Sequence, residues 1–103
     1  MKTSKAFEVF AKDAAEYHET WMEAVQKLDK ANKLDQKTKD LAYLAVLAAT
    51  RLESGIPFHV KMAKLHGATR EEIIGSILVG LPAVGNTVTQ VLPIALETYD
   101  EAE

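Results

Sequence analysis

Three histidines, at positions 18, 59 and 66, are the side chains best suited to carry a proton near neutral pH. His59 has the most suggestive setting. It follows Ser54-Gly55-Ile56-Pro57, which separates two apolar helical segments. An imidazole at the mouth of a helix, just past a bend, can face a pocket. The competing reading is a core histidine whose nitrogens are both satisfied by packing partners. His66 lies seven residues on, two turns along the same face, with Met62 and Ala63 between. Two turns are roughly 10 Å, and imidazole ligands bind a metal at about 2 Å. The pair therefore cannot share one ion, and neither a metal site nor a cofactor is expected. His66 stands directly before Gly67 and is expected to interact with a helix C-terminus. His18 is expected at the surface or a subunit contact. Arg51 and Glu53 flank the bend and could hold an anionic substrate, although an ion pair or solvent exposure is the expected state.

Other chemistries are excluded by residue type. There are no cysteines, which removes thiolate nucleophiles, disulfides and thiolate-bound metals. "VGLPAVGN" (79–86) has neither the glycine spacing nor the preceding strand of a dinucleotide loop. No serine sits in a nucleophile-elbow pattern.

The elements that must position these residues read as helices. Phe7, Phe10, Ala14, Tyr17, Trp21, Ala24 and Leu28 recur at alternating spacings of three and four, which predicts one long helix with a seam for a partner. Asp35 is a candidate N-cap for a helix over 36–53. From Leu41 to Ala49 only Tyr43 carries a polar side-chain atom. Such a segment is apolar around its whole circumference and expects burial on every side. A chain of 103 residues surrounds a central helix with difficulty, so an oligomer is expected. Gly55 suits a left-handed helix end, and Pro57 the first turn of a helix over 57–66 that Gly67 stops. Thr69 and Glu72 form a capping box. The stripe behind it is Ile73, Ile74, Ile77, Leu78 and Leu81, with Gly75, Ser76 and Gly80 allowing close helix approach. Thr87 and Gln90 read as a second capping box, before a helix kinked at Pro93. No segment alternates with period two, so the fold class is all-α, with about five helices in a single domain over 1–103.

Composition agrees with a globular, soluble class: 48% hydrophobic, 26% charged, net charge −3. No basic run favours nucleic acid, and no apolar span is long enough for a membrane helix. "MKTSKAFEVFAKDAAEYHE" becomes charged too soon for a signal peptide, which makes the cytoplasm the expected compartment.

From Leu34 to about Thr98 the sequence resembles the carboxymuconolactone decarboxylase and alkylhydroperoxidase D superfamily. The resemblance is carried by "LDQKTKDL", the apolar central helix, the bend, "FHVKMAKLHGAT", "REEI" and a closing small-residue turn. It implies an alkylhydroperoxidase D-like helical fold assembled as a trimer or hexamer, with a homohexamer the fuller form. The peroxidase branch is similar to a pattern of Glu, Cys, a second Cys and His. Those positions fall here on Asp40, Leu52, Gly55 and His59. The acid survives as a shorter residue and the histidine survives, but both sulfurs are missing. Peroxiredoxin activity belongs to the family, yet thiol peroxidase chemistry needs a thiolate to attack the O–O bond and a second thiol to resolve it. Leu52 and Gly55 can do neither. The decarboxylase branch has polar acid–base groups at those two positions, and this chain departs from it there too.

Two readings follow. In the first, the chain is a cofactor-free lyase of decarboxylase type on a small carboxylated or lactone metabolite. His59 is then the general acid/base and Asp40 orients it, with Tyr43, Leu52, Gly55, Phe58 and Met62 around the pocket. The bland alternative for Asp40 is a favourable place in its helix dipole. In the second reading, the chain is a non-catalytic oligomeric binding protein that kept the scaffold. Both expect a small-molecule ligand and copies of the same chain as partners, with neither nucleic acid nor membrane.

Overall fold

The computed structural model describes residues 3–103, and all regular structure among them is helical. The chain divides into two compact units, Met1–Leu34 and Asp35–Glu103.

The first unit is a pair of helices, α1 (Lys5–Asp13) and α2 (Ala15–Ala31). Ser4 caps α1 by accepting a hydrogen bond from the Phe7 amide at 3.2 Å. The single long helix expected over 7–28 is broken at Ala14, which leaves the helical region at φ −132°, ψ 50°. Ring packing accounts for the break. Phe7 and Phe10 meet the His18 ring at centroid distances of 5.4 and 5.5 Å. In a straight helix residues 7 and 18 would be about 16 Å apart along the axis, so the chain must turn back to make these contacts. No residue of either helix is buried.

The second unit holds α3 (Gln36–Thr50), α4 (Ile56–Leu65), α5 (Arg70–Leu78), the one-turn α6 (Leu81–Val84) and α7 (Leu92–Glu101), with 3-10 turns at Glu53–Gly55 and Asn86–Val91. α3 packs on α4 and α5, and α7 closes the far side against both of these. Leu44, Leu47, Ala48, Ile56, Val60, Ala63, Ile73, Ile77, Val88, Val91 and Ala95 form one continuous core. The caps behave as the sequence suggests at two ends. Asp35 accepts from the Thr38 amide at 2.9 Å, and the Thr69–Glu72 capping box is complete. Lys37 on α3 pairs with Glu72 at 3.0 Å, and the Ser76 hydroxyl donates to the Leu41 carbonyl. These two contacts hold α5 along the N-terminal half of α3.

Several local expectations are corrected. α3 ends at Thr50, and Arg51 takes the left-handed position at φ 62°, closed by the Leu52 amide donating to the Leu47 carbonyl at 3.0 Å. Gly55 is ordinary, at φ −86° within the following 3-10 turn. The helix stops where the Schellman-type closure forms, not where the first glycine occurs. Thr87 makes no capping box: Asn86–Val91 is a 3-10 turn, and the Thr87 hydroxyl is a buried polar atom without a partner. Pro93 produces no kink, because α7 begins at Leu92 and the proline occupies its first turn. Gly75 faces open space and serves no close helix approach. The burial expected all round α3 is partial within one chain. Leu44 and Ala48 are fully buried, while Tyr43 and Val46 are 50% and 58% exposed.

Candidate functional site

His59 sits in the opening turns of α4, fixed by Pro57 in the first turn and by Ile56 and Val60 buried in the core. Its imidazole is half-buried and lies between two aromatic rings. Tyr43 of α3 stacks on it at 4.3 Å with a 38° tilt, and Phe58 meets it edge-on at 5.2 Å. Burial pushes the His59 imidazole below its ordinary range, and the negative charge of Asp40 opposes that shift with a smaller effect. A β-carbon placed on Gly55 would lie 3.8 Å from the His59 ring and 3.5 Å from Leu47. Gly55, Tyr43 and Phe58 thus lie around the His59 ring. Met62 is half-buried on α4 and Leu52 is largely exposed after the bend. Neither makes a ring or polar contact with His59 among the described residues.

Asp40 is buried on α3, 7% exposed. A buried carboxylate requires donors, and Asp40 has two. Gln36 Nε2 donates to Oδ1 at 3.1 Å from one turn earlier on the same helix. His66 Nδ1 donates to Oδ2 at 2.6 Å from the C-terminal end of α4. An ionised carboxylate has no proton to give, so Nδ1 of His66 must carry it. The expected role of His66 is corrected by this contact. Its amide continues the helix to the Met62 carbonyl, but its ring crosses to α3. No direct hydrogen bond joins Asp40 to His59 among the described residues, so Asp40 acts on His59 through its charge. The sequence held one signal for the His66 contact: Asp40 on one helix and two histidines two turns apart on the next. Choosing between those histidines needed the helix crossing.

The remaining candidates are placed elsewhere. His18 belongs to the ring cluster of the first unit. Arg51 and Glu53 are exposed. No group of three histidine or acidic side chains among the described residues is placed to hold a metal ion. The first unit carries a groove of about 600 Å³ lined by Phe10, Glu16, Tyr17, Thr20, Trp21 and Ala24, which the seam pattern of α2 did not distinguish from a packing face.

The profile of the carboxymuconolactone decarboxylase family matches residues 15–97. The chain belongs to that family. The match starts earlier than the stretch whose sequence carries the resemblance, and includes α2. Among solved structures, the crystal structure of an apo carboxymuconolactone decarboxylase family protein from Legionella pneumophila is similar over 93% of this chain and 86% of that one. It has 27% identity and a TM-score of 0.78. No curated protein matches the chain at a significant level. Within the family's frame, Leu52 and Gly55 leave the site without a thiol; Tyr43 lies against the His59 ring, and Asp40 is bonded to His66.

Proposed function

We propose that this carboxymuconolactone decarboxylase family protein is a cofactor-free lyase acting on a small carboxylated or lactone metabolite, with His59 as its general acid/base and Asp40 as the charge that tunes it. The observation that supports this reading is a half-buried imidazole walled by Tyr43 and Phe58, with a buried carboxylate close enough to alter its proton affinity. In decarboxylation, the bond between carbon and carboxylate breaks and carbon dioxide leaves. The electron pair stays on carbon as an enolate. With His59 protonated, its N–H at the enolate oxygen stabilises that charge, and transfer of that proton to carbon completes the reaction and leaves a neutral imidazole. Water then restores the proton on His59. The apolar walls strengthen each of these interactions by excluding water. Thiol peroxidase chemistry has no place in this reading, because Leu52 and Gly55 supply no thiolate.

The test is turnover of a panel of lactone and unsaturated carboxylic acids by the purified chain, followed as carbon dioxide release. His59→Gln should abolish turnover while leaving the helical spectrum intact. Full activity in that variant, or no turnover together with no ligand-linked shift of the His59 resonances, refutes the reading. The same proposal has the chain work in the cytoplasm and as a trimer or hexamer. The assembly is supported by the apolar side chains that α2 and α3 leave uncovered, among them Tyr17, Trp21, Leu28, Tyr43 and Val46.

A further inference from the structure

We propose that His66 is a positioning residue for the His59 site: by occupying Oδ2 of Asp40 from the far end of α4, it decides how much of that carboxylate reaches His59. The geometry carries the argument. α4 presents two imidazoles, His59 and His66, two turns apart, and α3 presents one buried carboxylate to them. His66 takes it at 2.6 Å, a short contact, just under the span of about 2.7–2.9 Å usual for charge-assisted N–H···O bonds. The neutral amide of Gln36 holds the other oxygen at 3.1 Å. The carboxylate has little freedom to move, because its helix is tied to α5 by Lys37–Glu72 and by the Ser76 hydroxyl on Leu41. A donor held at Oδ2 draws on the charge that Asp40 presents to the rest of the site, His59 included.

The exposures differ in a useful way. The Asp40 side chain is 9% exposed and that of His66 is 29% exposed. His66 thus stands between the buried acid and solvent. Other charges on the packed elements are constant across this comparison. Lys37 is held by Glu72, and Lys64 donates to the Tyr99 and Ala102 carbonyls at 2.8 and 2.7 Å. The Tyr99 hydroxyl donates to the Ala68 carbonyl. Tyr43 stacks on His59, and Lys39 and Lys61 are the other lysines of α3 and α4. Changing His66 leaves all of these in place.

The catalytic meaning of this coupling rests on the acid/base reading of His59, but the coupling itself does not, and the experiment separates them. The three histidines are titrated by NMR without any ligand, in the wild type and in two variants. His66→Leu removes the donor and should raise the proton affinity of His59 by on the order of threefold to tenfold, as the charge of Asp40, no longer offset by a donor at Oδ2, acts on it more fully. His66→Asn keeps a donor where Nδ1 stood and should restore the wild-type titration. An unchanged His59 titration in a folded His66→Leu variant overturns the proposal. Should that variant fail to fold, the wild type decides: nitrogen shifts must show His66 as the Nδ1–H tautomer with a downfield proton, and the opposite tautomer overturns it. Where turnover is measurable, the pH profile of kcat/KM should move with the His59 titration. A coupling seen by NMR without turnover leaves the positioning role standing and counts against the lyase reading alone.

Discussion

At the scale of single residues, Asp40 bonds one imidazole, His66, and acts through its charge on another, His59. Asp40→Asn removes the charge that supports protonation of His59 while keeping a group of the same shape. We expect the His59 titration to move further below its ordinary range, as read from its imidazole proton shifts. The sign for stability follows. A histidine whose proton affinity is lower folded than unfolded favours the native state when neutral. Its contribution is therefore present at high pH and lost as pH falls below the unfolded value near 6.5. His59→Phe should flatten that part of the pH–stability curve, measured by denaturant unfolding between pH 7 and pH 5. The Gly55 position gives a second prediction. At φ −86°, with neighbours no closer than 3.5 Å to an added β-carbon, Gly55→Ala should leave the melting temperature within a few degrees of wild type. Arg51→Gly, by contrast, should stabilise the chain by about 1 kcal/mol, because it relieves a left-handed backbone in a residue with a β-carbon.

At the scale of elements, capping chemistry was readable where side chain and backbone lie within three residues. Asp35 and Thr69 are caps because their oxygens reach amides three positions on, which depends on local geometry alone. Thr69→Ala should cost about 1 kcal/mol, a fall of roughly 4–8 °C in melting temperature for a domain of this size. The loss should exceed that of Lys37→Met, since the Lys37–Glu72 pair is more than a third exposed and such pairs contribute about 0–1 kcal/mol. The misjudged element ends share one cause. Ala14, Arg51 and Leu92 each mark a boundary set by packing partners distant in sequence or by closure of the preceding turn. No proline or glycine occupies these positions to announce them. Pro93 shows the converse: a proline read as a kink is a helix start once α7 is placed.

At the scale of the whole molecule, the core belongs to the second unit, and truncation there should be costly. Leu44 is fully buried at the meeting of α3 with its neighbours, and Leu44→Ala should lose about 2–5 kcal/mol by transfer and cavity terms together. Self-association is the proposal that belongs to this scale. Tyr17, Trp21 and Leu28 on α2 are exposed apolar side chains, of the kind that an interface covers. Light scattering should report a trimer or hexamer, and Trp21→Glu should shift the distribution toward smaller species. A stable monomer at micromolar concentration would remove this proposal without touching the site.

The sequence by itself determined the helical class, the family, the two caps and the candidates Asp40 and His59. Each of these depends on residue type, on helical periodicity or on motif order along the chain. It also excluded sulfur chemistry, since residue type alone decides that. Tertiary structure decided which imidazole Asp40 bonds, that Tyr43 and Phe58 enclose His59, and that Arg51 rather than Gly55 reverses the chain. The reason is common to all three. Seven residues along a helix return to nearly the same face, so periodicity assigns His59 and His66 equal claims on a partner. Only the way α4 crosses α3 brings one of them to 2.6 Å and leaves the other to feel the charge through space.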